Sequence, residues 1–242
     1  MRRFASRTTL LITASCAALG VLGWSLFLHK TAHAPTAPPQ TETPQTPPQT
    51  SGTPHSLIEP DSIWVVVNKQ RPLPGDYEPE QLVPLGGQQM RSDAAKAIER
   101  LTEAAAQEGL SLKYISGYRS YSYQKQLYDA YAEKDGQAQA DSYSARPGHS
   151  EHQTGLVMDI GNTDGECDLD ICFGETAGGT WVRDHAHEYG FIIRYLEGKT
   201  DITGYQYEPW HLRYVGIELA REIHARQTTM EEYFALPAAP RY

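Results

Sequence analysis

The run Arg146-Pro-Gly-His-Ser-Glu-His-Gln-Thr-Gly-Leu-Val-Met-Asp159, taken with Glu208-Pro-Trp-His211, constrains this chain more than any other feature. His152, Asp159 and His211 are two imidazoles and a carboxylate. That set fits a tetrahedral Zn²⁺ whose fourth position stays open for water, as in catalytic rather than structural sites. Sharing one ion would require two segments some fifty residues apart to meet in space. Each half of this reading has a bland competitor. A His-x6-Asp spacing often arises by chance, and a solitary imidazole is usually a packed or surface histidine. Context favours the metal. Gly155-Leu-Val-Met-Asp159-Ile reads as a short buried strand, which would hold Asp159 on a rigid element with His152 on the loop leading into it. Tyr207 to Val215 runs from a turn into a second strand-like segment, and Pro209 biases Glu208 away from helical backbone. Glu208, three residues before a ligand, is then the general base.

These motifs resemble the VanY-type D-alanyl-D-alanine carboxypeptidases, zinc enzymes that trim peptidoglycan stem peptides. The likeness covers roughly Ile63 to Val215. It includes Val67-Asn-Lys69 with Arg71-Pro-Leu73, Ser116-Gly-Tyr-Arg-Ser120 with Gln124, Ser150-Glu-His-Gln-Thr-Gly155, Asp159 and Glu208-Pro-Trp-His211. The resemblance implies that His152, Asp159 and His211 hold zinc, that Glu208 is the catalytic base, and that Arg119, Gln124 and Ser150 contact substrate. His149 competes with His152, but only His152 falls on the family motif. Arg119 has three roles open: stabilising the oxyanion, clamping the substrate carboxylate, or a structural salt bridge. The implied activity is removal of the C-terminal D-alanine from stem peptides. D,D-cleavage is favoured over L,D-cleavage, although the motifs are shared. A non-catalytic wall-binding or sensing module on the same zinc fold is the alternative. Glu208 argues against it, because a purely structural site needs no base. A monomer is expected.

The first sixty residues do not read as part of the catalytic domain. Thr8 to Leu28 is uncharged and long enough to cross a bilayer, and Arg2, Arg3 and Arg7 precede it. Residues 1–30 are therefore expected to anchor the chain in a bacterial cell membrane, positive flank inside and catalytic domain outside. A cleaved secretory signal at Ala32-His-Ala34 and a lipoprotein through Cys16 are the weaker readings. Residues 31–60, rich in Pro, Thr and Gln, read as a spacer with too little apolar surface to fold. The domain proper is expected over 61–242. The formal charge is −9; without the four cations of the first thirty residues, which hold no acid, it is −13. Nucleic acid is thus an improbable partner. Outside the cytoplasm Cys167 and Cys172 are expected to form a disulfide, with a second metal site as the sharper alternative.

Along the domain, Ile63–Val67 reads as a strand, Ser92–Glu108 as a helix with Ser92 as its cap, and Leu112–Ile115 as a strand ending in a turn that carries Arg119. Tyr121–Lys134 is helical, and Gly136–His149 reads as a loop over the cleft. Thr180–Tyr189 is expected to be helical, Phe191–Tyr195 a strand, and Gly216–Gln227 and Thr229–Leu236 closing helices. His187 is read as a packed, hydrogen-bonded core residue and His185 as surface. Strands interleaved with helices without a regular βαβ repeat give an α+β domain with an antiparallel sheet and flanking helices. The resemblance implies the zinc fold shared by Hedgehog-type domains and D,D-peptidases.

Overall fold

A computed structural model describes residues 55–242. The expected anchor over 1–30 and most of the expected 31–60 spacer lie outside the described residues. Among the described residues no helix is long and apolar enough to cross a membrane.

The hairpin of β1 (Leu82–Leu85) and β2 (Gln88–Arg91) leads into α1 (Ser92–Gln107). Then follow β3 (Leu112–Ser116), α2 (Tyr121–Asp135), α3 (Gln137–Tyr143) and, after a 3-10 turn over Glu151–Thr154, β4 (Val157–Asn162). The chain continues through α4 (Ala177–His185), β5 (Phe191–Ile193), the single turn α5 (Thr200–Thr203) and β6 (His211–Tyr214). It closes with α6 (Ile217–Arg226) and the single turn α7 (Met230–Tyr233). The four-stranded sheet has the order β3-β4-β6-β5 and is antiparallel throughout.

The two faces of that sheet are set by alternation. Side chains two apart along a strand share a face, and the register pairs Met158 with Leu212 and Asp159 with His211. Met158, Ile160 and Leu212 accordingly turn to one side, where Ala94, Ile98 and Leu101 of α1 complete the main core. Apolar positions on α1 recur at helical spacing, so one face buries against the sheet while the other stays wet. Asp159, His211 and Arg213 turn to the opposite side, and there the polar site forms.

Several elements differ from the sequence-based expectation. The helix expected over Thr229–Leu236 is only the single turn Met230–Tyr233. Ile63–Val67 joins no sheet: Ile63 and Trp64 lie in a turn, and Val65–Val67 is buried without regular structure. Arginine side chains take the carbonyls that a neighbouring strand would have used: Arg213 Nη2 donates to Ile63 O and Val65 O, and Arg71 Nε donates to Val66 O. Gly136–His149 is not wholly loop, since α3 occupies its first half and packs on α2 through an edge-to-face contact of Tyr131 and Tyr143. The helix expected over Thr180–Tyr189 starts earlier, capped by Thr176, and tightens to a 3-10 turn after His185. The β1–β2 hairpin has no counterpart among the expected elements. Its short strands carry a proline and little periodicity, and the Gly86-Gly87 turn, both residues at positive φ, is its clearest signal.

Candidate active site

The adjacent strands β4 and β6 place Asp159 directly opposite His211. Directly opposed residues of an antiparallel pair project from the same face about 5 Å apart. His152 reaches them from the 3-10 turn before β4. Gly155 ends that turn at φ 67°, where a Cβ would press on Arg91 and Leu82, and so lets the chain drop into the strand. His152 Nε2 lies 3.3 Å from Asp159 Oδ2, and His211 Nδ1 lies 3.3 Å from Asp159 Oδ1. Neighbouring ligand atoms of a tetrahedral zinc with bonds of about 2.0–2.1 Å are separated by roughly that distance. Asp159 Oδ1 is buried without a hydrogen-bond partner, as an atom reserved for a cation would be. The three side chains are buried and their candidate ligand atoms all lie within 4.8 Å of one another. These residues fit zinc.

Both imidazoles are oriented from behind. His152 Nδ1 sits 2.7 Å from Gly117 O, which fixes the ring and leaves Nε2 facing the cluster. Behind His211, Nε2 points at Glu151 Oε2, 3.8 Å away, while Nδ1 faces Asp159 and Glu208. Glu151 is in turn fixed by Arg194 Nε and Arg213 Nη1, at 2.8 and 2.7 Å, and Arg194 also pairs with Glu231. All four members of this ion network are fully buried. Sequence reasoning missed it. Glu151 lies within the quoted motif, but the arginines that hold it come from 43 and 62 residues away.

Burial lowers the basicity of His152, and the nearby Arg119 guanidinium adds to that. Burial also opposes protonation of His211, but the carboxylates of Asp159, Glu151 and Glu208 outweigh it and hold this imidazole well above its ordinary value. Glu208 hangs from the turn before β6, with its amide bound to Tyr195 O and Oε2 3.4 Å from His211 Nδ1. Burial raises the Glu208 carboxyl and the charge of Asp159 adds to it, against the pull of His211 and Arg119. A carboxyl lifted in this way is a stronger proton acceptor than an ordinary glutamate.

The remaining expected residues gather around the same cleft, a space of about 370 Å³. Arg119 follows β3, and its amide donates to His152 O at 3.1 Å. Its guanidinium donates to Gln124 Oε1 and Ser116 Oγ, and among the described residues it has no carboxylate partner. A structural salt bridge is therefore not its role here. Gln124 is buried with both ends occupied, accepting from Arg119 and donating to Ala145 O, so it aims Arg119 and ties α2 to the cleft rim. Ser150 is buried at the cleft wall beside the ligand turn. His149 turns away to Asn68 O and the ring of Tyr242, and is no ligand. His187 stacks on His224 at 3.8 Å with its Nδ1 unpartnered, so the hydrogen bond expected there is absent. The half-exposed His185 bonds Glu188. The Cys167–Cys172 disulfide is formed, which removes the second-metal alternative.

Two histidines and a carboxylate at the floor of a cleft, with a further carboxyl beside them, are the constellation of single-metal peptidases. Residues 87–217 match the VanY family, described as D-alanyl-D-alanine carboxypeptidase. The chain belongs to this family. It is 46% identical over 189 residues to YodJ of Bacillus subtilis (strain 168), covering 74% of this chain and 69% of that protein. Among solved structures it is similar to the LD-carboxypeptidase LdcB, with TM-score 0.69 and 46% identity over 73% of this chain and 87% of the other. It is also similar to a vancomycin-resistance D,D-pentapeptidase VanY mutant in complex with Zn(II). That likeness has TM-score 0.62 and 33% identity over 70% of this chain and 97% of the other.

Proposed function

We propose that this chain is a zinc-dependent carboxypeptidase that removes the C-terminal D-alanine from peptidoglycan stem peptides. The observation that carries the reading is the converging set His152, Asp159 and His211 with Glu208 poised 3.4 Å from a ligand nitrogen. Zinc, when bound there, supplies a Lewis acid that polarises the scissile carbonyl. Glu208 takes a proton from the attacking water as its oxygen bonds to the carbonyl carbon. It then returns that proton to the leaving amine as the C–N bond breaks. Arg119, without a carboxylate partner among the described residues and aimed by Gln124, offers a guanidinium to negative charge in the cleft, either the developing oxyanion or the terminal carboxylate. Ser150 lines the wall along which the peptide would lie.

The resemblance favours D,D-cleavage, but the motifs are shared by both specificities and the relatives include both; we take L,D-cleavage of tetrapeptides as the leading reading. Support comes from the higher identity to the LD-carboxypeptidase, 46% against 33% for the D,D-pentapeptidase. Purified protein is incubated with defined tripeptide, tetrapeptide and pentapeptide muropeptides, with and without chelator. Release of D-alanine from the tetrapeptide, abolished by chelator and restored by zinc, is the expected result. Release from the pentapeptide alone would return the reading to D,D-cleavage. No release from any peptide by zinc-loaded protein would favour a wall-binding module.

A further inference from the structure

The turn that follows β4 carries strain and an apolar side chain at the lip of the catalytic cleft. Cys167 (φ 61°) and Leu169 (φ 53°) both occupy the left-handed region. A bulky side chain adopts that backbone only when its surroundings enforce it, and such residues cluster at functional sites. The surroundings here are explicit. Cys167 and Cys172 close the turn covalently. Asp168 reaches Lys113 Nζ on β3 at 2.6 Å and lies over Gly161, where a Cβ would meet its Oδ1 at 2.5 Å. Asp170 Oδ1 accepts from Cys172 N at 3.0 Å, and the buried Phe173 roots the far end. Every neighbour of Leu169 is thus pinned while Leu169 itself remains 46% exposed, outside the apolar clusters of the fold. It lines the same cleft as Arg119, His152 and Glu208, together with Tyr123, Leu127 and Tyr131 of α2.

We propose that Leu169 is a specificity-determining residue: an apolar lip, set by the Cys167–Cys172 turn, that packs on an aliphatic portion of the bound stem peptide. The inference rests on the carboxypeptidase reading and names part of the surface that recognises its substrate. Water is displaced from Leu169 only when peptide is bound, so the contact contributes to binding rather than to proton transfer. Ile171 is a built-in control, since it is equally exposed at 48% on the same turn but does not line the cleft.

The test is steady-state kinetics on defined tetrapeptide and pentapeptide muropeptides with Leu169→Gly, Leu169→Asn, Ile171→Ser and the double variant Cys167→Ser/Cys172→Ser, each checked for zinc content and Tm. Glycine and asparagine both suit the left-handed backbone, so the Leu169 variants keep the turn while losing the apolar contact. Leu169→Gly and Leu169→Asn should raise KM about fivefold with kcat within twofold of wild type. Ile171→Ser should change neither, and the cysteine variant should raise KM in the same direction. An unchanged KM in both Leu169 variants, or an equal rise in Ile171→Ser, overturns the proposal. If the cysteine variant does not fold, the Leu169 variants decide alone. If wild type cleaves neither peptide, the carboxypeptidase reading fails. The lip is then judged by calorimetric binding of the same peptides, which Leu169→Gly must weaken about fivefold for it to stand.

Discussion

Glu208 and His211 lie three residues apart, with Glu208 Oε2 3.4 Å from His211 Nδ1, yet their replacement should have different consequences. Glu208→Ala leaves His152, Asp159 and His211 intact, so zinc content by elemental analysis should stay near one per chain. Turnover should fall by about 10²–10⁴, the contribution of a positioned acid–base group. His211→Ala and His152→Ala should lose both metal and activity. Zinc binding at this site also predicts a proton linkage. His211 is held well above its ordinary value by three carboxylates, and a zinc-binding imidazole must be unprotonated at the ligating nitrogen. Zinc loading should therefore release protons, and affinity should drop as pH falls. Calorimetric enthalpies that scale with the ionisation enthalpy of the buffer would report it. At this scale the sequence was informative because each candidate ligand sits in a short motif with its neighbours. Glu151 was opaque for the opposite reason: its meaning depends on Arg194 and Arg213, which reach it only after the sheet has formed.

Elements with local causes were legible. The α1 periodicity and the strands around both ligand segments follow from patterns within a dozen residues, whereas the Ser92 cap expected for α1 does not form, because Arg91 holds the cap position and makes no side-chain cap bond. Where a distant group supplied the hydrogen bonds, the reading failed. Ile63–Val67 has the composition of a strand, but the guanidinium of Arg213 substitutes for the missing neighbour. Arg213 thus joins this segment, Glu151 and β6 at one buried point. Arg213→Met should leave the Ile63 and Val65 carbonyls and Glu151 short of donors. We expect a loss of at least about 3 kcal/mol in urea unfolding, the scale for removing one partner of a buried ion pair. A loss below about 1 kcal/mol would mean that water readily replaces the guanidinium there.

For the whole molecule, the α+β class and the antiparallel sheet followed from the alternation of elements, but the order β3-β4-β6-β5 did not, because every pairing in it is non-local. The buried network couples that topology to pH. Glu231 is buried, which alone would raise its carboxyl, but the Arg194 guanidinium and Asn68 hold it below the ordinary glutamate value. Between the folded and unfolded values the unfolded chain binds more protons, so stability rises with pH in that window. The contribution is complete above the unfolded value of about 4.3 and is lost as pH falls towards the folded one. Tm should accordingly decline as pH drops below about 4.5. Glu231→Gln should be less stable at pH 7 and show a flatter acid limb; an unchanged acid limb would exclude Glu231 as its source.

Asp159 faces His211 across two neighbouring strands, and one step of slippage between β4 and β6 would send one of them to the opposite side of the sheet. If the site holds zinc as proposed, zinc content becomes a census of correctly paired molecules. In a refolded preparation, the fraction that takes up the ion counts chains that found their alignment, even before any peptide is offered to them.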